Sequence, residues 1–148
     1  SMEIAILGLG CFWGPEIEFS KLNGIIKTEV GYCGGHNSQT NYKEVCSGTT
    51  NHAEVVKLDF DPEIISYEKI LKFFFEIHDP TTLNSQGPDF GTQYRSEIFY
   101  LNDQQKKIAE KIIEEENIKL SGKVVTKISL VKNYCQAEEY HQRYLEKR

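Results

Sequence analysis

The sequence has little of what several protein classes require. No apolar run approaches the roughly 20 residues that cross a bilayer as a helix, so no membrane span is expected. Only a few residues precede the first apolar segment at Ile4, which leaves no room for a secretory signal, and Ser1 ahead of Met2 reads as a residue left by cloning. An excess of positive charge is missing too. The net charge is −5 and the Lys and Arg residues are scattered, which argues against nucleic acid as the main partner. Cysteine is sparse: the thiols of Cys11, Cys33, Cys46 and Cys135 include no Cys-x-x-Cys pair and are too few and too irregular for a disulfide framework. A reducing, cytoplasmic setting follows, with thiols kept for chemistry or packing.

What is present suits one catalytic domain over residues 1–148. That length buries a real core, and 39% hydrophobic with 26% charged residues fits a soluble globular chain. Apolar, β-branched and aromatic runs predict strands at 4–9, 25–32, 53–60 and 96–101, with a fifth after Ser121-Gly122 in which Val124, Thr126, Ile128 and Leu130 share a face. Helices are expected from Pro15 to Asn23-Gly24, over Tyr42–Cys46, from the Ser66 cap through Ile77, from the Asn102 cap to about Asn117, and over 137–145. Residues 79–95 form a long stretch without periodicity, of a length that tends to be functional. Two βαβ units in succession predict an α+β fold, a ferredoxin-like split βαβ sandwich with a mixed sheet and an additional C-terminal strand and helices.

Two residues stand out chemically. Cys11 leaves an apolar strand, is fenced by Gly10 and Gly14, and is followed by Pro15, a residue favoured at the first position of a helix. A thiol at a helix N-terminus has a depressed pKa and is the better nucleophile for it. The same spacing also fits a small buried cysteine in a strand-to-helix turn. Glu54 falls at the end of the apolar face of the third strand, with Val56, Leu58 and Phe60, whereas Ala53, Val55, Lys57 and Asp59 make the more exposed face. A carboxyl there is costly unless protonated or paired, and a raised pKa would make it a general acid. A strand-end glutamate turned to solvent, or paired with His36, His52 or Arg95, fits the pattern as well.

Four blocks, in order, weigh these alternatives. They are Gly10-Cys11-Phe12-Trp13-Gly14 with Glu16, then Tyr42-Lys43-Glu44-Val45-Cys46-Ser47-Gly48 with His52-Ala53-Glu54, then Gln86 to Ser96, and Ala137-Glu138-Glu139-Tyr140-His141-Gln142. Together they resemble the class A peptide methionine sulfoxide reductases from residue 8 to about residue 145. The resemblance implies thiol-dependent reduction of methionine S-sulfoxide, free or in proteins, through a sulfenic acid on Cys11. Glu54, Tyr42 and Tyr94 would bind and protonate the sulfoxide oxygen, Asp89 would be a further active-site residue, and Phe12 and Trp13, with His141 beside them, would receive the methyl group. No metal or organic cofactor is implied. Expected partners are methionine sulfoxide and thioredoxin or another thiol reductant, and a monomer is expected. Three departures are visible: Pro88 where many members have asparagine, Cys33 in a site usually filled otherwise, and no cysteine-bearing C-terminal tail. A resolving thiol is therefore sought in Cys135, which lies in a polar, mobile-looking segment before the last block, or in Cys33 beside Gly34-Gly35, while Cys46 reads as a packing thiol; a one-cysteine mechanism in which an external thiol reduces Cys11 directly fits as well. Two rival readings are a zinc site of Cys33, His36, Cys46 and His52, whose spacing fits no established pattern, and acyl transfer by Cys11 with His52 or His141 and a carboxylate.

Overall fold

Short apolar segments punctuated by Gly, Asn and Asp turns set the element order of the computed structural model, which describes residues 1–148. Strand β1 (Glu3–Leu9) leads through helix α1 (Trp13–Ser20) to β2 (Ile25–Cys33), and α2 (Tyr42–Cys46) precedes β3 (Ala53–Phe60). Helix α3 (Tyr67–Glu76) is followed by the short strands β4 (Ser85–Gln86) and β5 (Asp89–Phe90), then β6 (Ser96–Tyr100) and α4 (Asp103–Lys119). The chain closes with β7 (Lys127–Leu130), β8 (Cys135–Gln136) and α5 (Tyr144–Lys147). Side-chain caps define the starts of α2, α3 and α4: Asn41, Ser66 and Asn102 accept from the backbone N–H three residues on.

The main sheet has the order β7-β6-β1-β3-β2-β8. Its four inner strands, β6-β1-β3-β2, run antiparallel in the split βαβ arrangement, and β7 lies parallel to β6, which makes the sheet mixed. Pleat alternation sends Leu7, Val30, Val56, Leu58, Phe60 and Ile98 into the larger core, beneath Phe19 of α1, Leu71 and Phe74 of α3 and Ile112 of α4.

Several expectations are corrected. Helix α1 begins at Trp13, so Pro15 sits inside the first turn, where backbone N–H groups have no intrahelical partner and its ring is tolerated. The second face of β3 is not exposed at its start: Ala53 and Val55 pack with Ile6, Cys33 and Phe99 in a second core under Val131 and Tyr134. Residues 79–95 hold the β4–β5 hairpin and a 3₁₀ turn, Thr92–Tyr94. The fifth strand starts at Lys127, because Val125 gives its N–H to Pro80 outside the sheet. No helix spans 137–145. That segment is β8, a 3₁₀ turn at Glu139–His141 and the short α5, held by side-chain bonds that no periodicity encodes.

Candidate active site

The turn after β1 sets the site. Gly10 adopts φ +98°, and a Cβ there would meet Gln86 Cβ and Cγ at 2.9 Å. Only glycine allows this turn and the close seat of the β4–β5 hairpin upon it. Gln86 is itself fixed at both ends, accepting from Asp79 N–H at 2.8 Å and donating to Asp79 O at 2.8 Å. The packing brings Asp89 within electrostatic reach of Cys11 and Glu54.

Cys11 is half-buried and free. Its thiol is pushed up to about 11, chiefly by burial, then by the Glu54, Asp89 and Cys46 groups, while the Trp13 backbone N–H pulls the other way. The expectation of a depressed pKa is thereby corrected. One helix N–H does not outweigh desolvation among acidic groups.

Glu54 is 1% exposed and has no cationic partner, since Arg95 is committed to Glu97 at 2.6 Å. Its Oε1 accepts the Phe12 N–H at 3.2 Å, which ties the carboxyl to the residue after Cys11. Burial raises its pKa to about 8, against that hydrogen bond, with Asp89 adding to the rise. The carboxyl is thus an acid near neutral pH. Tyr42 opens α2 and Tyr94 closes the Thr92–Tyr94 turn; both phenols feel Glu54 and both titrate above the ordinary tyrosine range, Tyr42 at about 12. They stay protonated and can donate. Arg95 clamps this turn from behind, donating to Thr92 O at 2.8 Å and to Asn51 O at 3.0 Å.

The rings form the other wall. Phe12 is buried against Tyr32 (centroids 5.7 Å) and His141 (5.2 Å), so it floors the site. Trp13 stacks on Tyr144 at 3.8 Å and donates from Nε1 to His141 Nδ1 at 3.1 Å. His141 therefore accepts at Nδ1 and carries its proton on Nε2. Burial lowers its pKa, in keeping with a neutral ring.

Three residues of the last segment that carried no expected role hold this wall in place. Glu138 accepts from Tyr32 Oη and from Tyr42 N–H, both at 2.9 Å, joining β2 to the start of α2. The Gln142 amide bonds both backbone groups of Val30, at 2.9 and 3.0 Å. Tyr144 braces Trp13. Glu16 of α1, buried at 2% exposure, accepts from Arg143 N–H at 2.8 Å and from Thr28 Oγ1 at 2.9 Å. An acidic residue on a helix flanked by apolar positions was the one signal for such a contact.

The structure also sorts the other thiols. Cys33 is fully buried on the sheet face opposite Glu54, with its thiol on Lys132 O, so it is not beside Cys11. Cys135, expected in a loose polar segment, is instead paired with Tyr32 through β8 and buried, its sulfur against Thr40 O and Gln39. Cys46 is exposed rather than packed. No cluster of three or more His, Cys, Asp or Glu side chains is arranged to hold a metal ion, and no helix is long and apolar enough to cross a membrane.

A thiol, a protonated carboxyl and two phenols against an aromatic floor can accept oxygen from a sulfoxide, and the comparisons agree. The family model described as peptide methionine sulfoxide reductase matches residues 3–148. The chain is 81% identical over 147 residues to peptide methionine sulfoxide reductase MsrA of Pelagibacter ubique (strain HTCC1062), covering 99% of this chain and 100% of that one. The reduced form of Mxr1 from Saccharomyces cerevisiae superposes with a TM-score of 0.94 at 45% identity, over 99% of this chain and 86% of that one. Mxr1 in complex with Trx2 matches with a TM-score of 0.68 at 31% identity, over 97% of this chain and 84% of that one. With its model matched almost end to end and its relatives this similar, the family is settled: the chain belongs to the class A peptide methionine sulfoxide reductases.

Proposed function

We propose that Cys11 is the nucleophile and Glu54 the general acid in the thiol-dependent reduction of methionine S-sulfoxide, free or in proteins, to methionine, a repair reaction. The observation that carries the assignment is the buried Glu54 carboxyl, bonded to Phe12 N–H and titrating near 8. At rest both protons the step requires are in place, one on the thiol and one on the carboxyl. Sulfur attack on a sulfoxide demands that its oxygen be protonated as the S–O bond breaks. Glu54 supplies that proton, with Tyr42 and Tyr94 donating hydrogen bonds to the oxygen. The substrate methyl rests on Trp13 and the Phe12 floor, where sulfur and apolar groups pack well. Asp89, with no cation beside it, faces the substrate from the hairpin, and His141 orients the indole. One oxygen moves from the substrate sulfur, which gains two electrons, to the Cys11 sulfur, which loses them. The proton displaced from the Cys11 thiol returns to Glu54, so thiol and sulfoxide become sulfenic acid and thioether with no net proton uptake.

A dithiol then returns Cys11 to the thiol, releasing water and becoming a disulfide. Thioredoxin is the proposed donor, a reading supported by the Mxr1 complex with Trx2. We also propose that the chain acts as a monomer and a single domain in a reducing, cytoplasmic compartment, for which four free thiols speak. The test is turnover of each sulfoxide epimer with dithiothreitol and, separately, with thioredoxin. Loss of the S epimer alone is expected; no loss of either overturns the reading.

A further inference from the structure

We infer that Cys46 is the thiol that captures the Cys11 sulfenic acid, forming a Cys11–Cys46 disulfide that the external dithiol then reduces. The inference rests on the proposed function of Cys11. It stands on where the three remaining thiols lie. Cys33 packs on the far side of the sheet, with Ala53, Val55 and Phe99. Cys135 faces the Tyr32 side but is locked by β8, whose partner strand also receives the Gln142 amide. Cys46 lies one helical turn beyond Tyr42, so both project from the same side of α2. That side is the active site: the Tyr42 ring is 4.8 Å from His141, which is 5.2 Å from Phe12. Cys46 and Tyr42 both lie within electrostatic reach of Cys11, and Tyr42 and Gln93 sit beside the Cys46 thiol and counter its desolvation.

The helix is also built to release this end. Its start is held by the Asn41 cap and by Glu138 on Tyr42 N–H, and the buried Val45 anchors the residue before Cys46. Its far end, Cys46 to Thr49, is exposed, and Gly48 at φ +81° has nothing within 4 Å of a Cβ position. Opening the end beyond Val45, at the expense of the Ser47 N–H to Lys43 O and Gly48 N–H to Val45 O bonds, would let the two Cβ atoms approach to the roughly 4.5 Å a disulfide requires without disturbing the sheet.

The step balances. The Cys46 sulfur attacks the Cys11 sulfur, the S–O bond breaks, hydroxide leaves as water with the Glu54 proton, and the proton shed by the Cys46 thiol returns to Glu54. The incoming dithiol attacks the exposed Cys46 sulfur, restores both thiols and departs as a disulfide, its lower exposure barrier making Cys46 the accessible target.

The experiment gives the full-length protein one equivalent of a methionine S-sulfoxide peptide without reductant. It counts methionine released and thiols lost, and maps alkylated peptides and dimedone adducts. Two thiols lost per methionine and a Cys11–Cys46 linkage are expected, retained in Cys33→Ser and Cys135→Ser. In Cys46→Ser the count should fall to one thiol per methionine, with dimedone on Cys11. A Cys11–Cys135 or Cys11–Cys33 linkage, or dimedone on Cys11 with Cys46 alkylated, overturns the inference while the methionine burst upholds the sulfoxide step. Absence of the burst overturns both.

Discussion

At the residue scale, chemistry depends on two groups held in their uncharged forms. Replacing Glu54 with Gln keeps the shape and removes the proton. General acids typically contribute 10²–10⁴-fold, about 3–5 kcal/mol of barrier. Glu54→Gln should therefore slow single-turnover methionine formation by that range, and a near-normal rate would remove Glu54 from its role. The wild-type rate should fall about tenfold per pH unit above about 8, as the acid is lost. Cys11 makes a second prediction: alkylation of the resting enzyme by iodoacetamide should rise with a midpoint near 11, and a midpoint below 9 would contradict the geometry around it.

At the element scale, the segment from Thr92 to Tyr100 is organised by one buried ion pair, Arg95 with Glu97. Arg95→Ala leaves Glu97 charged, buried and without a cation, with only the Ser129 hydroxyl bonded to it, at a cost of about 3–5 kcal/mol. The double replacement of Arg95 and Glu97 by Met should recover most of it, as urea unfolding would read. Legibility differs sharply between elements. The α2 and β3 boundaries, and the Ser66 cap of α3, follow from local signals: a cap, a polar break, a run of alternation. The segment 137–145 does not, because its conformation is dictated by contacts distant in sequence, Glu138 to Tyr32 and Gln142 to Val30. Cys11 and Glu54 could be singled out from the sequence, since each breaks a local rule. The thiol pKa of Cys11 could not, because desolvation depends on the Asp89 and Glu54 groups that folding brings around it. The placement of Cys46 was equally hidden, as its helix has only five residues to reveal a buried side.

At the scale of the whole molecule, the active site weakens the fold as pH rises. The folded state holds the Glu54 proton up to about 8, whereas an unfolded glutamate releases it near 4.5. Stability from this group is fully present below the lower value and is lost as pH climbs toward the upper one, at about 1.4 kcal/mol per unit, on the order of 5 kcal/mol in all. Glu54→Gln lacks this decline, so its urea midpoint should exceed that of the wild type by a margin that widens from pH 5 to pH 8; parallel profiles would refute it. The sheet has a different exposure problem at its β2 side. The strand β8 covers only Gly31 and Tyr32; beyond it the Gln142 carboxamide meets both backbone groups of Val30, whose carbonyl also accepts from the Ala137 N–H. An unpaired strand margin is a template for another chain. That side-chain amide, which holds the Val30 N–H, thus acts as a guard against self-association. Gln142→Ala should yield a protein whose light scattering grows with concentration, at concentrations where the parent stays clear.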